Sequence, residues 1–109
     1  MHTYRLEPTG KSPVSFQGRC FSRTRSSIRS SYPRYSTHYR VRIFVSEQHK
    51  VVLECVRVVE DRRSCYVSVH STIEEAVDSL LLVPFVSNRL YNMVVDDLIK
   101  RKSGGNTSV

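Results

Sequence analysis

The chain has 109 residues, 39% of them hydrophobic, and a formal net charge of +7. This size and composition exclude a disordered chain and predict one folded domain with a modest core. No apolar run approaches the roughly 18 residues that a membrane-spanning helix requires. The N-terminus has no hydrophobic secretion signal, so we expect a cytoplasmic protein.

The positive charge is concentrated in the first part of the chain. Residues 1–46 contain nine Lys or Arg and one acidic residue, whereas residues 47–109 contain eight Lys or Arg and nine acidic residues. This asymmetry predicts a surface that faces a polyanion. The three cysteines form no CxxC pair and the four histidines lack metal-ligand spacing. We therefore expect reduced thiols, no metal and no cofactor.

The N-terminal segment predicts a β-hairpin followed by a long loop. Residues 3–6 and 14–22 have the composition of strands and are separated by the turn-forming run EPTGK. Residues 23–37, RTRSSIRSSYPRYST, contain no acidic residue and predict a mobile, solvated loop. Its serines make it a candidate for phosphorylation. Its basic residues are suited to pairing with phosphates, and they are Arg23, Arg25, Arg29 and Arg34.

Residues 38–70 carry the clearest pattern and predict a three-stranded antiparallel meander. The runs HYRVRIFV, KVVLECVRVV and CYVSVH are rich in β-branched and aromatic residues and are separated by short polar turns. Opposing Val45 to Lys50, and Val59 to Ser64, brings most apolar side chains to one face. Glu54 is the only misfit. The predicted core face consists of Tyr39, Val41, Ile43, Val45, Val52, Val56, Val58, Cys65, Val67 and Val69.

The opposite face of the predicted meander is basic and aromatic. In this register Arg40, Arg42 and Arg57 project from neighbouring strands. Tyr66 offers a ring on which a base or a guanidinium group can stack. An ordinary face of mixed composition, partly covered by the N-terminal segment, is the alternative interpretation. Together with the loop arginines, these four residues form a candidate nucleic-acid site.

A first helix is predicted directly after the meander. Ser71 and Glu74 have the spacing of a capping box, and apolar residues follow at helical spacing over residues 73–81. Pro84 ends this helix.

A second helix is predicted from about residue 88 to residue 102, with Ser87 as its cap. The Gly104-Gly105 pair is expected to end it, which leaves residues 104–109 as a disordered tail. Its apolar stripe is wider than one core contact requires. This width predicts a protein or dimer interface at Tyr91, Val95 and Ile99.

The order of several motifs resembles the layout of small uncharacterised proteins carried by bacterial mobile elements. These motifs are TYRLEPTGKSPVSFQG, HYRVRIFV, KVVLECVRVV, CYVSVH and STIEEAVDSL, and they span residues 3–81. The resemblance implies a compact α+β accessory protein. It implies no activity and no site residues.

The sequence therefore predicts one α+β domain over residues 1–103. An N-terminal hairpin and the meander form an antiparallel sheet, and the two helices pack on one of its faces. No catalytic signature is present, and we expect a non-enzymatic binding protein. The first hypothesis is nucleic-acid binding through the basic face and the arginine-rich loop. The alternative is a protein-interaction module, or a homodimeric accessory or inhibitor protein, that uses the second helix.

Overall fold

A computed structural model describes the backbone of residues 2–31 and 34–107 and the side chains of residues 2–29 and 36–101. Its architecture confirms the predicted α+β class, with a five-stranded antiparallel sheet followed by two helices. The elements are β1 His2–Leu6, β2 Val14–Ser31, β3 Arg34–Ser46, β4 Val51–Val59, β5 Arg62–His70, α1 Ile73–Ser79, a 3₁₀ turn Leu80–Leu82 and α2 Asn88–Thr107.

The sheet has the strand order β1-β2-β3-β4-β5 and curls toward closure. Thr9, in the turn after β1, donates its backbone N–H to the carbonyl of Cys65 in β5 at 3.0 Å. The Cys65 N–H in turn donates to Thr9 Oγ1 at 2.9 Å. These bonds join the two ends of the sheet, so one of its faces is concave. A small apolar cluster around Leu6, Phe44 and Val52 fills part of that concave face.

The arginine-rich segment predicted as a mobile loop is instead part of a long β-hairpin. Strand β2 continues to Ser31, and β3 begins at Arg34 and pairs with it along its length. Strand β4 pairs with β3 only as far as Thr37, so the end of the hairpin extends beyond the sheet. We call residues 23–31 and 34–42 the hairpin arm. Loop-like composition was overridden here because each strand supplies the backbone hydrogen-bond partners of the other. Residues 32 and 33 lie outside the described residues.

The predicted register between β3 and β4 is wrong by one residue. Ser46 donates its N–H to the carbonyl of Lys50 at 2.9 Å, and Val45 therefore lies opposite Val51. A three-residue loop closes this hairpin, with His49 at a φ of 60°, as in hairpin loops that end in a left-handed residue. The predicted loop had four residues. Changing an even loop length to an odd one turns the side chains of β4 to the opposite face relative to those of β3.

The core between the sheet and the helices differs from the prediction for the same reason. Val41 and Ile43 face the helices as predicted, but the β4 residues that face them are Leu53 and Cys55, not the predicted Val52 and Val56. The β4–β5 register is shifted by two residues from the predicted one. Because the shift is even, the same residues of β4 and β5 still share a face. The buried core cluster consists of Val41, Ile43, Val51, Leu53, Cys55, Ala76, Leu80, Val83, Leu90 and Val94.

The second helix begins as predicted and ends later than predicted. Ser87 Oγ accepts a hydrogen bond from the Leu90 N–H at 3.1 Å, which confirms its capping role. The helix continues through Gly104 and Gly105 to Thr107, so the predicted stop at the glycine pair is wrong. Glycine lowers helix propensity by only about 1 kcal/mol and does not by itself end a helix. The expected disorder of residues 108 and 109 lies outside the described residues.

The capping box of α1 is shifted by one residue from the predicted one. Thr72 Oγ1, not the Ser71 side chain, accepts a hydrogen bond from the Glu75 N–H at 3.1 Å. Glu75 Oε2 accepts one from the Ser71 N–H, also at 3.1 Å. The box therefore pairs Thr72 with Glu75 instead of Ser71 with Glu74.

This geometry makes two neighbouring hydroxyl residues differ in their effect on stability. Thr72→Ala removes the cap acceptor and should lower the free energy of unfolding by about 1 kcal/mol. Ser71→Ala keeps the backbone N–H that Glu75 uses and should leave stability within about 0.5 kcal/mol of wild type. Urea denaturation of both variants measures the difference, and a larger loss for Ser71→Ala would contradict the assigned cap.

Candidate nucleic-acid interface

The described arginines of the hairpin arm lie on one face of the sheet. Arg23 lies opposite Arg42 and Arg25 opposite Arg40, and Arg29 follows on the same side of β2. Opposed residues of antiparallel strands share a face. Five of the predicted site residues are therefore brought together on the concave side. The side chain of Arg34, a sixth, lies outside the described residues.

A β-bulge decides which face these arginines occupy. The register of β2 shifts between Cys20 and Ser22, which leaves Phe21 as the extra residue. Before the bulge, the even-numbered residues of β2 face the concave side, as Phe16 does in the small apolar cluster. Beyond it, the odd-numbered residues take that side. Uninterrupted alternation would have put Arg23 and Arg25 on the face that carries the helices.

Two predicted site residues lie on the other face. Arg57 is opposite Tyr39, and Tyr66 is opposite Cys55, on the side that the helices cover. The Arg57 guanidinium carbon lies 5.3 Å from the centroid of the Phe85 ring, a cation–π contact. Tyr66 packs, half-buried, against the core cluster. The prediction that these two residues share a face with Arg40 is therefore wrong, because of the one-residue register error.

The apparent misfit Glu54 is a buried carboxylate paired with two arginines. Its side chain is 1% exposed, and Oε1 accepts hydrogen bonds from Arg42 Nε at 2.6 Å and from Arg40 Nη2 at 3.4 Å. Burial lowers the pKa of Arg42, but the hydrogen bond and charge of Glu54 outweigh it and leave that pKa above its usual value. The Arg42 guanidinium is therefore held in an ion pair with a buried carboxylate.

The other arginines of this face place several positive charges close together at the surface. Arg23, Arg25 and Arg29 are exposed, and no described carboxylate lies within ion-pair distance of them. Burial lowers the pKa of Arg40, and although Glu54 raises it, the neighbouring arginines lower it further, so that it stays below its usual value. Burial is the largest cause of this lowering, and repulsion from Arg42, Arg23 and Arg25 adds to it.

Sequence reasoning missed one arginine of this face. Arg63 lies in β5 opposite Val58, which is itself opposite His38 of β3. The two-residue Glu60-Asp61 turn, with Glu60 at a φ of 56°, brings Arg63 into the strand, whereas a longer turn was expected. We call the set the arginine face, and it comprises Arg23, Arg25, Arg29, Arg40, Arg42 and Arg63.

The predicted interface on α2 contributes to a separate apolar groove of about 310 Å³. Val95 and the 57%-exposed Ile99 line it, whereas Tyr91 packs, half-buried, against the core cluster. Two acidic side chains, Glu74 and Asp78, stand at its rim on α1. The interface itself stays a prediction.

The described residues offer few groups for other chemistry. Burial raises the pKa of Cys55 to about 12 and also raises that of Cys65, so both thiols stay protonated and weakly nucleophilic near neutral pH. Within residues 2–31 and 34–107, no cluster of three or more metal-ligating side chains occurs. No helix in this described part is both long and apolar enough to cross a membrane.

Comparisons with protein-family profiles, with curated protein sequences and with solved structures gave no match. The function is therefore inferred from the geometry and charge of the chain itself.

The buried pair between Arg42 and Glu54 should be a major stabilising contact. Arg42→Ala leaves the Glu54 carboxylate buried with only the longer contact to Arg40, and should cost about 3 kcal/mol of unfolding free energy. The matched control is Arg5→Ala, because Arg5 pairs with Glu7 at 3.5 Å with both side chains 65% exposed. That variant should lose less than about 0.5 kcal/mol. Equal losses in urea denaturation would show that the Arg42 pair is not needed.

Proposed function

We propose that this protein binds nucleic acid through the arginine face. The observation that carries the proposal is a one-sided cluster of six arginines that has, among the described residues, a single carboxylate, Glu54, buried beneath it. Guanidinium groups pair with phosphates bidentately and stay charged at every physiological pH. A chain of phosphates is therefore a ligand that matches this surface.

The spacing of the arginines also suits a polyanion. Alternate residues of a strand lie about 6.8 Å apart and point to the same side. Arg23 and Arg25 are such neighbours on β2, and Arg29 lies four residues beyond Arg25 on the same side, with Ser27 between them. Bound phosphates would offset the repulsion among neighbouring arginines, which adds to burial in lowering the pKa of Arg40. Because these contacts are electrostatic, affinity should fall steeply as salt rises and should depend little on base sequence.

Charge reversal of two exposed arm residues tests the proposal. Arg25→Glu combined with Arg29→Glu should weaken binding of a fluorescent oligonucleotide about tenfold or more at low salt, because two phosphate contacts become repulsive. The slope of log affinity against log salt should flatten by about 1.5 to 2 units. Fluorescence polarisation at several salt concentrations measures both quantities.

A matched double variant controls for net charge. Arg5→Glu with Arg89→Glu makes the same change in total charge, but Arg5 lies on the opposite side of β1 from Leu6 and Arg89 lies in the first turn of α2. Both residues are exposed. This control should bind nearly as tightly as wild type. Wild type that fails to bind at low salt, or equal weakening in the two double variants, would remove the arginine face as a nucleic-acid site.

The exposed Ile99 favours a second candidate function, self-association through the groove on α2. The acidic rim at Glu74 and Asp78 complements the excess positive charge of a second copy of this chain. Under this alternative, Val95→Lys should convert a dimer into a folded monomer. Size-exclusion chromatography with light scattering measures the oligomeric state of both proteins. A wild-type protein that is monomeric at high concentration would contradict self-association.

A further inference from the structure

A cleft of about 310 Å³ opens in the arginine face where the hairpin arm leaves β4 and β5. Two rows of opposed residues cross it. One row runs from Arg25 through Arg40 to Val56, and the other from Ser27 through His38 and Val58 to Arg63. Each row thus contributes cationic or polar groups from β2 and β3 and an apolar residue from β4.

The floor of this cleft is apolar, although its walls are charged. Val56 is buried and Val58 half-buried on β4, with Arg25 and Arg40 on one side and Arg63 on the other. The valine side chains of this floor, of which the half-buried Val58 is the more accessible, give no advantage to a bare phosphate. They favour a ligand that joins a flat apolar ring to an anionic group.

A hydrogen-bonded pair adds polar recognition to the wall. Ser27 Oγ lies 2.8 Å from His38 Nδ1. When Ser27 donates this hydrogen bond, a neutral His38 carries its proton on Nε2. The wall then offers a donor that suits an acceptor on the edge of a base.

We propose that the cleft receives one unpaired nucleotide, and that the protein therefore prefers single-stranded to double-stranded nucleic acid. The volume lies at the lower end of the roughly 300–1,000 Å³ of small-ligand sites, which suits a single nucleotide. A base in a duplex is stacked and paired and does not reach the valine floor, whereas an unpaired base packs on apolar groups or on guanidinium planes. This inference rests on the proposed function and specifies its ligand.

The first test compares ligands on the wild-type protein. A labelled oligothymidine should bind about tenfold more tightly than a duplex with the same number of phosphates, an amount that one accommodated base can supply. Unlabelled adenosine monophosphate should displace the oligothymidine at a lower concentration than inorganic phosphate does. Equal or tighter binding of the duplex, or equal displacement by the two competitors, overturns the inference. The proposed function would survive such a result, whereas it fails together with the inference if no probe binds.

The second test makes the floor of the cleft more polar without changing its charge. Val58→Gln should reduce the preference for the single strand and leave the salt dependence of binding unchanged, because every arginine remains and no aromatic ring is added on which a base could stack. Val69→Gln is the matched control, since Val69 is 55% exposed on β5 of the same face but does not line the cleft. Circular dichroism melts verify that both variants fold. A Val58→Gln protein that folds and keeps the full preference for the single strand contradicts the inference.

Discussion

The buried carboxylate of Glu54 constrains the whole sheet, because a charge in the interior must be paired at close range. Only a register that sets Glu54 opposite Arg42 brings the two groups to 2.6 Å with Arg40 beside them. A slip of one residue would turn Glu54 toward the helices and Leu53 away from them. The Glu54–Arg42 pair therefore fixes which residues lie on each face of the sheet. One face is apolar and covered by the helices, and the other is concave and basic.

This constraint divides the arginines into two groups with different roles. Arg42 is 16% exposed and pairs with the buried Glu54. Its guanidinium carbon also lies 5.0 Å from the centroid of the Phe44 ring, a contact that packs it against the small apolar cluster. The exposed arginines of the arm have no such partner among the described residues and present their charge to solvent. One basic surface thus combines a buried ion pair, which stabilises the fold, with positive charges that are exposed to solvent.

Much of the fold was predictable from local pattern. The runs of β-branched residues predict the strands, and the 3.6-residue periodicity after residue 72 predicts the helices, since both depend on burying one side of an element. The excess of arginine in residues 1–46 likewise predicts a basic surface. The misfit at Glu54 was the one sign in the sequence that the assumed register was wrong, because an unpaired carboxylate does not occupy an apolar core face.

The composition of the site was thus determined by the sequence, and its geometry only by the tertiary structure. The β3–β4 loop, in which His49 is left-handed, is odd in length, and the bulge after Cys20 reverses the faces of β2. Each is a local event with no strong sequence signal, yet each moves every following side chain to the other face, because the side-chain period of a strand is two residues. These two events separate Arg57 and Tyr66 from the arginine face and bring Arg25, Arg40 and Arg63 around one cleft.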